Sequence, residues 1–397
     1  MASYEGNKTK DFFYKVALLT YLFGLPNFWI EDFKLPKWFM RSFDIFTKII
    51  NNVLYFFILM EMIAFFTQEN LSEKQKSDLL VYGISHPILY SYRVFISYKE
   101  DNLRAVLLDL VVTLKKVYND VKVERQMIKK SLLYSSALVF SCILAMFFYT
   151  FDSILHVIRT GATFNVVITT WPKVEDRSTL ANAGRIVFYI LWWFFMSRVS
   201  GAYTTVICLT TCLSHQYTNL RSYFENLNNI FETNFDQAVK EQKYEDGFKV
   251  GIALHLDTLR CTRECHSICQ GVFSGQIILN ILLLVVLMSQ MINSERTLVT
   301  AFATASSASA VLISTGYFMW NAGDVTVEAS RLSSAMYLSG WHNCHGRSSI
   351  TIRKLVVITM FNAQKPVILK GLGIVDLSYQ SYLSIVKSSY SVLSLLY

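Results

Sequence analysis

Residues 269–292, CQGVFSGQIILNILLLVVLMSQMI, run their whole length without Asp, Glu, Lys or Arg. Backbone in hydrocarbon must bond its own N–H and C=O groups, and about 20 mostly apolar residues make a helix long enough to cross. This stretch reads as a membrane span. Five more segments have the same character: 43–67, 79–98, 131–157, 184–213 and 298–321. A seventh is split: Ile352, Leu355 to Ile358, Met360 and Phe361 are apolar, Ala363 to Gly373 interrupts, and Leu377 to Tyr397 resumes.

Composition agrees. Of 397 residues, 53% are hydrophobic and 17% charged, and the mean hydropathy is +0.34. So little polar surface excludes a soluble multidomain enzyme and a disordered chain. Lys and Arg collect before the first span and in the loops after spans 2, 4 and 6, and are sparse in the other loops. Positive charges are retained on the cytoplasmic side. The expectation is an all-α membrane protein of seven transmembrane helices, N-terminus cytoplasmic and C-terminus extracellular. The net charge of +8 is then a topology signal and not a nucleic-acid-binding face.

Four segments follow: a cytoplasmic segment 1–42, helices 1–4 at 43–213, a cytoplasmic helical anchor segment 214–268, and helices 5–7 at 269–397. The run Phe12 to Leu25, broken by Lys15 and closed by Pro26, reads as an interfacial helix and not as a cleavable signal. In 103–117, Leu103, Val106, Leu107, Leu110, Leu114 and Val117 recur at spacings of three and four, with Asp109, Lys115 and Lys116 on the other face. Ile252, His255, Leu256, Leu259 and Arg263 lead into span 5 without a Pro. Helices 2 to 6 should therefore extend into a cytoplasmic anchor domain. Of two sequons, Asn7-Lys8-Thr9 and Asn70-Leu71-Ser72, only Asn70 should face the lumen and accept a glycan. The cluster Cys261, Cys265, His266 and Cys269 lies on one helix face, a poor tetrahedral cage, and reads as packing.

No HExxH, GxSxG or phosphate loop occurs, so no catalytic residue, metal or cofactor is expected. Four ionisable residues fall within spans: Glu61, Arg93, Asp152 and Arg198. The arginines read as structural, in the manner of interhelical Arg–carboxylate pairs. Asp152, among aromatics, is equally a pocket residue. The outer halves of spans 2, 3 and 4 concentrate rings and polarizable groups: Tyr82 and His86; Phe147, Phe148, Tyr149 and Phe151; Tyr189, Trp192, Trp193 and Met196. Such a cluster suits a small apolar ligand. The expected ligand-binding set is Tyr82, His86, Phe148, Tyr149, Asp152, Tyr189, Trp192, Trp193, Met196 and, from span 6, Phe302. Span 6 is otherwise rich in small residues from Ala301 to Ala310, which allow close helix approach and a central place in the bundle. The last span mixes hydroxyls with apolar residues. A stripe of Tyr382, Val386, Ser389 or Tyr390, Leu393 and Tyr397 suits a helix lining water, with Val386, Ser389, Leu393 and Tyr397 as pore and gate. One helix cannot enclose a pore, so an oligomer is required.

Several of these residues carry a resemblance. Trp320-Asn321-Ala322-Gly323-Asp324-Val325, then Leu332-Ser333, Ala335, Tyr337, Ser339 and Trp341, then Ala363-Gln364-Lys365-Pro366 and Ser388-Ser389-Tyr390-Ser391 resemble the C-terminal signature of insect odorant receptors. The looser part extends to Gly24-Leu25-Pro26 and His255. The resemblance implies a tetrameric ligand-gated, non-selective cation channel in the plasma membrane of olfactory sensory neurons, an odorant-binding subunit assembling with a shared coreceptor. It implies a volatile ligand held by spans 2, 3, 4 and 6, a pore in span 7 with Leu393 at the gate, permeating cations, and subunit contacts through an anchor domain. Coreceptors carry a long insertion between spans 4 and 5. Here that loop has about 55 residues at the usual span length, as a tuning subunit would. Related gustatory receptors end in Thr-Tyr, five residues, Gln-Phe; this chain has Ser389-Tyr390 and Leu396-Tyr397 and fits the odorant branch.

Overall fold

The computed structural model describes residues 7–293, 298–346 and 349–396. Helix α1, Lys8–Leu22, starts at Asn7, whose side chain accepts from the N–H groups of Thr9 and Lys10. Glu124 adds a second cap, accepting from the Thr9 N–H and hydroxyl, both at 2.8 Å. The Asn7 amide also donates to the Val111 carbonyl, so α1 is docked against the bundle. Helix α2, Lys37–Thr67, turns into α3, Glu73–Tyr98, whose start is a capping box of Ser72 and Gln75.

Next come α4, Glu100–Leu108, a five-residue π turn, Asp109–Thr113, and α5, Leu114–Val117. The long helices are α6, Val121–Thr160, α7, Thr179–Asn226, α8, Gln237–Asn293, and α9, Leu298–Ser330. Helices α10, Leu332–Tyr337, and α11, Ser349–Ala363, precede a small hairpin, β1 Lys370–Gly371 with β2 Val375–Asp376, and then α12, Tyr379–Leu396. The gap in the seventh apolar segment is this hairpin.

Among the described residues, α2, α6, α7, α8 and α9 are long and apolar enough to cross a bilayer. Helix α3 is not among them, and its Asp78, Ser85 and His86 are all buried within the bundle. It lies close against α8, where Gly275 admits the Tyr92 ring and Gly271 the Phe95 ring; a Cβ at either would stand within 2.5 Å of a ring carbon. Helix α9 packs on α6, α7 and α8, with α12 against α8 and α9. The small residues of α9 do place it centrally, although Ala301, Phe302, Ala305 and Ser309 are exposed.

Several expectations are revised. Helices α7 and α8 run on without a break through residues 213 and 268. Helix α3 stops at Tyr98 and does not extend; α4 begins anew after Lys99. In 103–117 the stripe holds through Leu114, but Lys115 is buried and Val117 exposed. The π turn inserts one extra residue per turn, which rotates everything after it and exchanges their faces. The cysteines pack: burial pushes the Cys261 thiol up to about 12 and so keeps it protonated. Arg93 and Arg198 have no carboxylate partner among the described residues. Instead Glu61 meets His86, and Asp152 meets Lys74.

The signature residues tie helices together. Asp324 on α9 pairs with Lys130 of α6 and accepts from the Tyr379 hydroxyl of α12 at 2.5 Å. The Trp320 ring stacks on Tyr379 and stands edge-on to Tyr382. Ser339 bonds the Tyr244 hydroxyl of α8.

Candidate ligand cavity

Five helices turn one face each toward an interior cavity of about 100 Å³. Each wall follows helical spacing. Tyr82, His86 and Leu89 come from α3; Cys142, Met146 and Tyr149 from α6; Trp192, Met196, Val199 and Tyr203 from α7; Leu279 and Leu283 from α8; Ser307, Val311 and Ser314 from α9. Residues three and four apart stack on one helix face, so a cavity between helices reads them in that register.

The rings form a connected cluster. Tyr82 stacks on His86 at 4.9 Å and meets Tyr149 at 5.8 Å and Trp192 at 5.9 Å. Behind them, His86 Nδ1 lies 2.7 Å from Glu61 Oε2. Among the described residues the Tyr82 hydroxyl has no hydrogen-bond partner, and that of Tyr149 makes no full hydrogen bond, with only the Ser307 side chain close to it. A buried donor without an acceptor costs about 1–3 kcal/mol. These two hydroxyls are therefore the polar groups a ligand could satisfy.

The floor and roof are hydrogen-bonded networks by contrast, although the side-chain oxygens of Asn280 and Gln290 have no partner among the described residues. Below, Gln276 accepts from the Tyr203 and Tyr92 hydroxyls at 2.9 and 3.2 Å and donates to Ser314 and Thr315. Above, Lys74 pairs with Asp152, which accepts from Thr300 at 3.0 Å, and Gln290 donates to Asp78 at 2.8 Å. The α6–α7 loop closes this end: Gln68 donates to the Thr169 carbonyl at 2.6 Å, and Val166 and Val167 are buried in the main core.

Of the expected ligand set, Tyr82, His86, Tyr149, Trp192 and Met196 line the cavity. Asp152 sits in the roof. Tyr189 is one turn beyond, bonded to Thr150 at 3.2 Å. Phe148 and Phe302 stack on each other at 5.7 Å, with Phe302 on the outer surface. Trp193 lies on the outside of α7, in a separate groove. Leu279, Leu283, Ser307 and Ser314 were missed, being small or aliphatic; their register opposite Tyr82 and Tyr149 was the signal available. On α12, Val386 is half-buried, while Ser389 is fully buried and donates to the Ile385 carbonyl at 3.0 Å, facing its own subunit and not a pore. The exposed face is Leu383, Ser384, Lys387, Ser388 and Ser391. The side chain of Leu393 and all of Tyr397 lie outside the described residues. Asn70 is exposed in the α2–α3 turn with φ of 55°.

The profile of the 7tm Odorant receptor family matches residues 97–390. The chain belongs to the odorant receptor family. Its fold is similar to that of the insect olfactory receptor OR5 from Machilis hrabei, at 12% identity over 97% of each chain with a TM-score of 0.75. A second structure, OR5 in complex with eugenol, matches at 10% identity over 98% of each chain with a TM-score of 0.71. No curated protein sequence matches the chain. As an odorant receptor the chain is a membrane protein and a receptor, and the cavity lies among helices that this family's profile largely covers.

Proposed function

We propose that this odorant receptor is the odorant-binding subunit of a ligand-gated, non-selective cation channel that works with a coreceptor in the plasma membrane of olfactory neurons. Helices α2, α3, α6, α7, α8, α9 and α12 are its seven spans, with α1 on the cytoplasmic side. The reading is carried by the apolar cavity with two unpartnered phenol hydroxyls. Its ligand is a small, mostly apolar volatile bearing one oxygen that accepts from Tyr82 or Tyr149, with dispersion against the rings supplying most of the affinity. Eugenol, with which OR5 has been solved in complex, is likewise small and mostly apolar, with two oxygens, a phenol and a methoxy ether. The volume compares with the ~150 Å³ apolar cavity that accommodates benzene in an engineered core.

Transmission follows from the packing. Two walls of the cavity, α8 and α9, are also the helices that hold α12, and the Tyr382 hydroxyl donates to the Leu312 carbonyl one residue from the lining Val311. A ligand that favours one arrangement of α8 and α9 shifts α12 with them. The exposed stripe of Ser384, Lys387, Ser388 and Ser391 then faces a pore completed by other subunits. Ser389 steadies α12 against its own bundle.

Whole-cell current against a panel of oxygenated volatiles, with and without a coreceptor, tests the reading. Ligand-evoked cation current only when both chains are present is expected. No current from any panel member, with both chains at the surface, overturns it.

A further inference from the structure

Two buried arginines on α7 are treated very differently by the fold. Arg185 is saturated: Nε donates to Asn165, Nη1 to Asn182, and Nη2 to the carbonyls of Lys173, Val174 and Asp176. Arg198 is 4% exposed and uses only Nε, to Asn51 Oδ1 at 2.9 Å, and Nη1, to the Phe194 carbonyl at 2.7 Å. Its Nη2 stands beside Gly24 without a partner among the described residues; a Cβ on Gly24 would come within 3.0 Å of it. Arg93 on α3 is held to the same spot. Its guanidinium lies over the Tyr90 ring at 5.9 Å, Tyr90 donates to the Asn51 carbonyl, and the Arg93 Nε is buried without a partner. Arg198 thus bonds Asn51 directly and Arg93 adjoins it only through Tyr90, and neither positive charge has a carboxylate among the described residues.

Arg198 also closes one end of a groove of about 420 Å³ on the outside of the bundle, between the α1–α2 region and α7. Apart from Ser197 the rest of the groove is apolar, with Phe43 and Phe46 on one wall and Ile190, Trp193 and Phe194 on the other. Arg198 lies 14 residues into the span that begins at residue 184, about 21 Å of helix at 1.5 Å per residue, so it stands in the inner part of the hydrocarbon core, toward the α1 end. An arginine at this depth draws phosphate and water inward by local thinning of the bilayer, and the groove runs from it into the acyl region.

We propose that this groove is a binding site for an anionic phospholipid, its phosphate on Arg198 and one acyl chain along Phe46, Ile190 and Trp193. A phosphate oxygen takes the free Nη2 donor and supplies the charge that neither arginine finds in the protein. Gly24, at φ of 90°, lets the backbone lie against the guanidinium, where a Cβ would stand 2.9 Å from Cζ. The site rests on the membrane-spanning reading but not on odorant gating, so loss of one leaves the other standing.

Native mass spectrometry of the full-length receptor, extracted from nanodiscs of phosphatidylserine and phosphatidylcholine in equal parts, tests it. Wild type should retain phosphatidylserine over phosphatidylcholine, and Arg198→Gln should lower that retention about tenfold. Ile190→Trp, which fills the groove and leaves the arginine, should lower retention of both lipids. Inorganic phosphate at millimolar concentration should not displace the lipid; if it does, the site takes a free anion and the lipid assignment falls. Equal retention of the two lipids by wild type, or retention unchanged in both variants, overturns the proposal.

Discussion

The indole N–H of Trp192 donates to Nε2 of His86 at 3.3 Å. An indole nitrogen can only donate, so Nε2 accepts and the proton of a neutral His86 lies on Nδ1, donating to Glu61. Ring orientation, tautomer and the buried carboxylate are one unit behind the cavity wall.

Removing His86 with Ala takes away the hydrogen-bond partner of the buried Glu61 carboxyl, which costs about 1–3 kcal/mol, and more with the lost ring packing. Trp192→Phe removes only one neutral hydrogen bond, about 1 kcal/mol. Thermal unfolding in detergent should rank them in that order. Equal shifts would show that the carboxylate is not dependent on the histidine.

Tyr82→Phe and Tyr149→Phe keep the rings and delete the hydroxyls. For oxygenated ligands each should weaken potency by about 1 kcal/mol, about fivefold, and leave hydrocarbon ligands unchanged. Dose–response curves for matched pairs of ligands make the comparison; a uniform loss across both classes would contradict a hydrogen-bonding role.

Met146→Trp fills the cavity and should abolish responses at normal surface expression. Trp193→Ala and Phe302→Ala, both outside the cavity, should leave potency within about twofold, since surface substitutions change energies by about 0.5 kcal/mol or less. A tenfold potency shift in either would move the ligand out of the cavity.

Lys387 is exposed on α12. If its stripe lines the pore, its charge repels permeating cations, and Lys387→Gln should raise single-channel conductance by about twofold, with ligand potency unaltered. Unchanged conductance would place that face against lipid or another chain.

His255 is buried in the part of α8 below the span, and desolvation lowers its pKa to about 4. Between that value and the ordinary ~6.5 the unfolded chain binds a proton that the folded chain does not, so stability rises with pH across this window. At pH 5.5 the loss relative to pH 7.5 is about 1 kcal/mol. His255→Leu should flatten this part of the profile in thermal unfolding, and an unchanged acid limb would assign the effect to another group.

Periodicity made most of the helices legible, as well as Tyr82, His86, Tyr149, Trp192 and Met196, because rings spaced by three and four on adjacent spans share a face. What it could not resolve was rotation. Trp192 and Trp193 are neighbours in sequence with opposite surroundings, and only packing decides which ring turns inward. The single extra residue of the π turn at Asp109–Thr113 reversed the faces of Lys115 and Val117, a change that no 3.6-residue template contains. The partners of charges were also hidden: opposite signs suggested Arg–carboxylate pairs, whereas helix placement gave Glu61 a histidine, Asp152 a lysine, and Arg198 an asparagine and a carbonyl.

The 57 residues of α8 run unbroken, about 85 Å at 1.5 Å per residue. Tyr244, Leu279, Leu283 and Gln290 thus belong to one stiff lever, reaching from the region below the span, past the cavity, to the roof. No turn or loop separates Leu283 from Tyr244, although Gly247, Gly251, Gly271 and Gly275 lie between them. If ligand binding tilts α8 at Leu283, the displacement has an unbroken hydrogen-bonded route to the end that Tyr244 ties to Ser339.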